Sequence, residues 1–125
     1  MISLKNILTV MLGSGIGGAL RFLSSEYIKQ LVPTRFPLST FVVNLMGCFI
    51  IGIIYAISMK GNQDSNGMKL LLATGFCGGF TTFSAFTSEN LELIRSGNQL
   101  TALFYILTSV VLGILATYFG SILIK

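Results

Sequence analysis

The sequence predicts an all-α membrane protein with four transmembrane helices in one domain spanning residues 1–125, and three observations carry that expectation. Hydrophobic residues make up 53% of the 125-residue chain, and charged residues only 10%, against about 25% in an average soluble domain. The apolar residues fall into four runs, each near the roughly 20 residues a helix needs to cross a bilayer. The charged residues collect at the ends of those runs, where membrane proteins keep them. A soluble chain of this size would expose large apolar patches and aggregate, so lipid is the expected solvent.

The first run extends from Leu4 to Leu31, with Gly13, Gly15, Gly17 and Gly18 in its middle and Arg21, Glu26 and Lys29 toward its end. Its apolar stretch continues through Arg21-Phe22 without a clear cleavage site, so Met1 to Leu20 reads as part of the mature protein, not as a signal peptide. Pro33 and Pro37 make residues 32–37 a turn, because proline lacks a donor and constrains the residue before it. The second run covers Leu38 to Met59, followed by a polar loop from Lys60 to Gly67. The third goes from Met68 to Ile94 and the fourth from Gln99 to Ile124, joined by the tight connection Arg95-Ser96-Gly97-Asn98.

Four spans place both termini on one side, with Lys5, Lys60, Lys69 and Lys125; the other side holds Lys29, Arg35 and Arg95, with Arg21 nearer the membrane. The bias that orients membrane proteins is therefore almost absent. Either a single charge fixes the orientation, or the chain inserts both ways and pairs as an antiparallel dimer; the charges leave both readings open. The net charge of +4 does not indicate a nucleic-acid partner, because the basic residues are scattered singly and form no stripe. An enzyme is not expected. The chain has no histidine, no metal-binding cluster and no nucleophile beside a base. Cys48 and Cys77 each sit inside an apolar run and read as small core residues.

The third run carries the most unusual stretch, Gly75-Phe76-Cys77-Gly78-Gly79-Phe80-Thr81-Thr82-Phe83-Ser84-Ala85-Phe86. Glycine costs a helix about 1 kcal/mol relative to alanine, and threonine somewhat less. A break here would free backbone groups that lipid cannot satisfy, so it must face protein, a cavity or an ion. Freed carbonyls suit a cation, and the N–H groups of a half-helix start suit an anion. The alternative is a straight helix whose glycines allow close packing. Phe83 and Phe86 follow three apart on one face; phenyl rings have positive edges that attract anions, although lipid contact is the commoner role.

Thr40, Asn44 and Gly47 share one face of the second run. Asn44 is costly in hydrocarbon and should face protein or water. In the fourth run Thr101, Tyr105, Ser109, Gly113 and Thr117 form a narrow stripe, with Thr108 beside it. Such hydroxyls either bond back to their own helix or offer donors along a line, as a dehydrated anion requires. Arg21 either snorkels to the interface or attracts anions to a pore mouth. Glu89 is either a vestibule carboxylate or an ordinary interfacial charge.

Together these segments resemble the Fluc, or CrcB, family of fluoride channels. The resemblance rests on Gly17-Gly18-Ala19-Leu20-Arg21-Phe22, on Thr40-Phe41-Val42-Val43-Asn44-Leu45-Met46-Gly47 and, most specifically, on residues 75–86 followed by Glu89. It implies a third helix broken near its middle and an antiparallel, dual-topology homodimer in a bacterial plasma (inner) membrane. It implies passive export of fluoride through two pathways per dimer, which lowers fluoride toxicity. The pathway residues implied here are Phe83, Phe86, Asn44, Thr40, Tyr105, Ser109 and Arg21. A structural sodium ion would be held at the dimer centre by the main-chain carbonyls of Gly78 and Thr81. This chain departs from the pattern at Gly113, where some members carry another hydroxyl; Thr108 or Thr117 are the candidates to replace it. The alternative function is a small multidrug-type, proton-coupled exporter. Such carriers rest on an acidic residue inside the first helix, where this chain offers only Glu26, close to the helix end.

Overall fold

The computed structural model describes residues 2–60 and 65–124. Among them there are only helices, and four are long and apolar enough to cross a membrane: Leu4–Leu31, Leu38–Lys60, Gly67–Arg95 and Gln99–Leu123. Helix α1 (Leu4–Leu31) starts at Ser3, whose side chain accepts from the Asn6 amide at 3.1 Å. The turn through Pro33 and Pro37 leads into α2 (Leu38–Lys60). The expected polar loop lies partly outside the described residues, at 61–64; Ser65 to Gly67, expected to belong to it, instead open a short helix, α3 (Ser65–Lys69).

Beyond α3 the chain continues as a π-helical segment (Leu70–Cys77) and one α-helical turn, α4 (Gly78–Phe80), before the break. Thr81 and Thr82 are extended, at φ −87°, ψ 157° and φ −146°, ψ 118°. Helix α5 (Phe83–Arg95) then completes the span. The interruption falls on the threonines and not among the glycines, because Gly78 keeps right-handed helical angles. Thr81 turns its amide and its hydroxyl back onto the Cys77 carbonyl, at 2.9 and 2.8 Å. Thr82 caps α5, accepting from the Ala85 amide at 3.2 Å. Both threonines thus place their side chains on backbone groups that a continuous helix would have used.

The connection after α5 is a Schellman turn: Asn98 N–H bonds to Leu93 O at 2.8 Å and Gly97 N–H to Ile94 O at 3.2 Å, with Gly97 at φ 87°. Helix α6 (Gln99–Leu123) returns and packs closely along α2. There Gly120 brings α6 so near that an added Cβ would strike the Phe49 carbonyl. Helix α1 lies against the π-helical segment and α4, where a Cβ on Gly79 would strike the Ser14 carbonyl. This is the small-residue packing that helices use in lipid.

The buried core is thin. Ile54, Ala73 and Cys77 form one cluster; Leu93, Ala102 and Tyr105 form another, bordered by Phe36, Phe41 and Phe86. Large apolar side chains such as Met11, Phe22, Phe104 and Ile114 point outward along the spans. A surface of that kind needs hydrocarbon around it, which fixes the protein as multi-pass in a membrane.

Candidate functional site

The polar face of α2 meets the break. The Asn44 side chain clamps the main chain of Thr82, donating from Nδ2 to its carbonyl at 3.2 Å and accepting its amide on Oδ1 at 2.9 Å. That satisfies two of the groups the interruption sets free, in a region where lipid would leave them bare. One turn further along α2, Gly47 is buried beneath the Thr81 methyl group. The shared face of Thr40, Asn44 and Gly47 therefore docks the interrupted span.

Toward one membrane surface, Glu89 receives two hydroxyl donors. Thr40 Oγ1 donates to Oε2 at 2.7 Å, and Tyr105 Oη donates to Oε1 at 2.8 Å. Thr40 is 5% exposed and Tyr105 is fully buried, so α2, α5 and α6 are tied together by one carboxylate. Rings surround it: Phe86 lies 4.9 Å from Tyr105 and Phe36 lies 5.3 Å away, both edge-on. Phe83 and Phe86 stand 5.9 Å apart, with 35° between their planes. Phe83 is 76% exposed.

Two cavities flank this layer. The first, about 510 Å³, lies between the α1–α2 turn and the α5–α6 turn; Lys29, Arg35, Ser39, Glu89 and Glu92 line it. The second, about 450 Å³, runs along the break, with Asn44, Cys48, Thr82, Phe83, Phe86 and Ser109 among its lining residues. Ser109 Oγ is buried there without a hydrogen-bond partner. Glu89 borders the first cavity, and Phe86, three residues earlier on α5, borders the second.

The structure thus gathers Thr40, Asn44, Phe83, Phe86, Tyr105 and Ser109 into one continuous region. Arg21 stands apart. Its Nε donates to the Gly79 carbonyl at 3.4 Å, against α4 and away from the lining of both cavities. Thr108 and Thr117 do not extend the α6 stripe as free donors. Thr108 bonds to the Phe104 carbonyl at 2.6 Å, and Thr117 to the carbonyls of Cys48 and Gly113, each at 3.1 Å. Glu89, left open between two roles by the sequence, lies at the centre of the polar layer. Its spacing of three residues after Phe86 was the only sequence signal, and it could not show the two hydroxyls that converge from other helices.

The carbonyls of Gly78 and Thr81 are released by the break. The Thr82 amide, which would bond Gly78 O in a helix, goes to Asn44, and the Ala85 amide, which would bond Thr81 O, goes to the Thr82 hydroxyl. Gly78 has open space where its side chain would be. Two unclaimed main-chain oxygens at a helix break are donors of the type a hard cation takes. Among the described residues no group of three or more His, Cys, Asp or Glu offers an alternative metal site.

A protein-family profile described as "CrcB-like protein, Camphor Resistance (CrcB)" matches residues 8–121. A protein of Azobacteroides pseudotrichonymphae named "Fluoride-specific ion channel FluC" is 48% identical over 120 residues, covering 96% of each chain. Proteins of the same name from Flavobacterium psychrophilum and Phocaeicola vulgatus are 45% and 43% identical, over 98% and 94% of this chain and 98% and 96% of their own.

Proposed function

The chain belongs to the CrcB family, and from that premise we propose that it is a passive, fluoride-selective channel that exports the ion across a bacterial inner membrane. The observation that carries this reading is the interrupted third span, pinned by Asn44 beside a cavity where two phenyl rings and an unpartnered serine hydroxyl meet. Fluoride is small and strongly hydrated. A narrow path admits it only where hydrogen-bond donors and positive ring edges replace its water. The first cavity, with Lys29 and Arg35 in its wall, serves as the mouth. The hydroxyls of Thr40 and Tyr105 form the next layer, where an incoming ion competes with the Glu89 carboxylate for the same donors. Beyond it lie Phe86, Phe83 and Ser109. Arg21, held on the Gly79 carbonyl, contributes positive potential near the break without lining either cavity. Donor spacing and width together disfavour chloride.

The working unit in this proposal is an antiparallel homodimer of two oppositely inserted copies. The nearly balanced Lys and Arg count supports it, and so does Phe83, whose exposed ring gains a covering surface from a second chain. The unclaimed carbonyls of Gly78 and Thr81 fit a sodium ion shared between the copies, each chain supplying two oxygens; the ion would fix the break's geometry and neutralise the converging carbonyl dipoles.

A proton-coupled exporter is not favoured. The acidic residue of the first helix, Glu26, pairs with Lys29 at 3.7 Å with both side chains about half exposed, which leaves no buried carboxyl there to carry a proton. The test is fluoride release from potassium-loaded liposomes in which valinomycin carries the balancing charge, with and without a protonophore that collapses the pH gradient. A channel releases fluoride equally in both. Release that stops when the gradient collapses favours the exporter.

A further inference from the structure

We propose that the donor line along α6 crosses to α2 at Gly113, where the thiol of Cys48 takes over as the next permeation group. The inference rests on the fluoride reading of this cavity. Tyr105 and Ser109 are one helical turn apart on the face of α6 that meets the other helices. A further turn along, the position is Gly113, which is buried and has no side chain. The neighbouring hydroxyls are already committed: Thr108 donates to the Phe104 carbonyl, and Thr117 donates to the carbonyls of Cys48 and Gly113. The space above Gly113 is instead met from the other side. Cys48 Sγ lies 3.5 Å from the point where a Gly113 Cβ would sit, an ordinary van der Waals distance. Cys48 and Ser109 line the same 450 Å³ cavity, and Ser109 Oγ is buried there without any partner. Two uncommitted groups, a hydroxyl on α6 and a thiol on α2, thus border one space along the direction of the spans. The Thr117 hydroxyl, bonded to the Cys48 carbonyl, ties α6 to α2 at this level.

A thiol is a weak donor. Weakness is useful at this point, since conduction needs sites that release the ion as readily as they take it. The glycine at 113 and the cysteine at 48 therefore act as a pair: where one helix carries no side chain, the sulfur of the other borders the vacant position.

The pairing predicts a rescue. Cys48→Ala removes the donor, and the space it vacates accepts a hydroxyl at residue 113. Purified wild type, Cys48→Ala, Cys48→Ser and the double variant Cys48→Ala/Gly113→Ser are reconstituted in liposomes and compared by fluoride electrode, with monodisperse elution required of each. Cys48→Ala is expected to conduct about tenfold more slowly than wild type. Cys48→Ser keeps a donor and stays within about threefold of wild type. The double variant recovers most of the lost flux, which a purely structural role for Cys48 does not predict. Wild-type flux in Cys48→Ala overturns the inference, as does a double variant as slow as Cys48→Ala or a Cys48→Ser variant as slow as Cys48→Ala. Wild-type protein that releases no fluoride overturns the underlying channel reading instead, and this inference with it.

Discussion

Replacing Asn44 by alanine tests the clamp that holds the third span open. The substitution deletes both bonds to Thr82, at 3.2 and 2.9 Å, and leaves an amide and a carbonyl unsatisfied. A buried polar group without a partner costs about 1–3 kcal/mol, so the pair costs roughly 2–6 kcal/mol. The cavity beside Thr82 lets water recover part of that, which places the effect near the lower bound. About 2 kcal/mol corresponds to roughly a thirtyfold shift in the local opening equilibrium. Hydrogen exchange followed by mass spectrometry in nanodiscs reads this shift directly, through the peptide containing Thr82. The Thr82 amide should exchange about thirtyfold faster in Asn44→Ala, and fluoride flux should fall with it. Unchanged protection of Thr82 in Asn44→Ala would refute the claim that this side chain sustains the break.

Phe86→Ile removes a ring that stands 5.9 Å from Phe83 and 4.9 Å from Tyr105; at about 0.5–1.5 kcal/mol per edge interaction, fluoride flux should drop roughly threefold to tenfold with the elution profile of the purified protein unchanged. Flux equal to wild type in both Phe86→Ile and Phe83→Ile would remove the rings from the pathway. Tyr105→Phe keeps the packing but strips one donor from Glu89, which should cost about 1.5–3 kcal/mol and lower the melting temperature in detergent; an unchanged melting temperature counts against the layer. Gly79→Ala drives a methyl group into the Ser14 carbonyl, whereas Gly18→Ala meets nothing within 4 Å. The first should destabilise by about 1–3 kcal/mol and the second should be neutral or slightly stabilising, an order that thermal unfolding of the two variants checks.

Much of this architecture was legible in the chain because hydrophobic run length maps directly onto a bilayer. The runs from Leu4, Leu38 and Gln99 begin where helices α1, α2 and α6 begin. The third span begins at Gly67, beside the expected start at Met68; the helix that opens it reaches back to Ser65, because Ser65 and Asn66 look like loop by composition yet continue into an apolar helix that can carry them. The break was visible only as a possibility. Glycine-rich packing and a true interruption share one composition, and what separates them is long-range: Asn44, 38 residues away from Thr82, supplies the bonds that make an open backbone tolerable. The same limit hid the role of Glu89. Its partners Thr40 and Tyr105 lie 49 and 16 residues away, and no periodicity within one helix reports a convergence of three. The commitment of Thr108 and Thr117 to main-chain carbonyls was equally invisible, since a hydroxyl's partner depends on rotamer and not on spacing.

The central claim is that this chain builds a donor-lined passage for a very small anion. The most direct measurement is the loss of trapped fluoride from potassium-loaded liposomes holding the pure protein, with valinomycin carrying the balancing charge, followed by electrode and compared with chloride release from parallel vesicles. Rapid fluoride release with chloride retained is the result the account predicts. Fluoride held as tightly as in protein-free liposomes, or lost no faster than chloride, would contradict it.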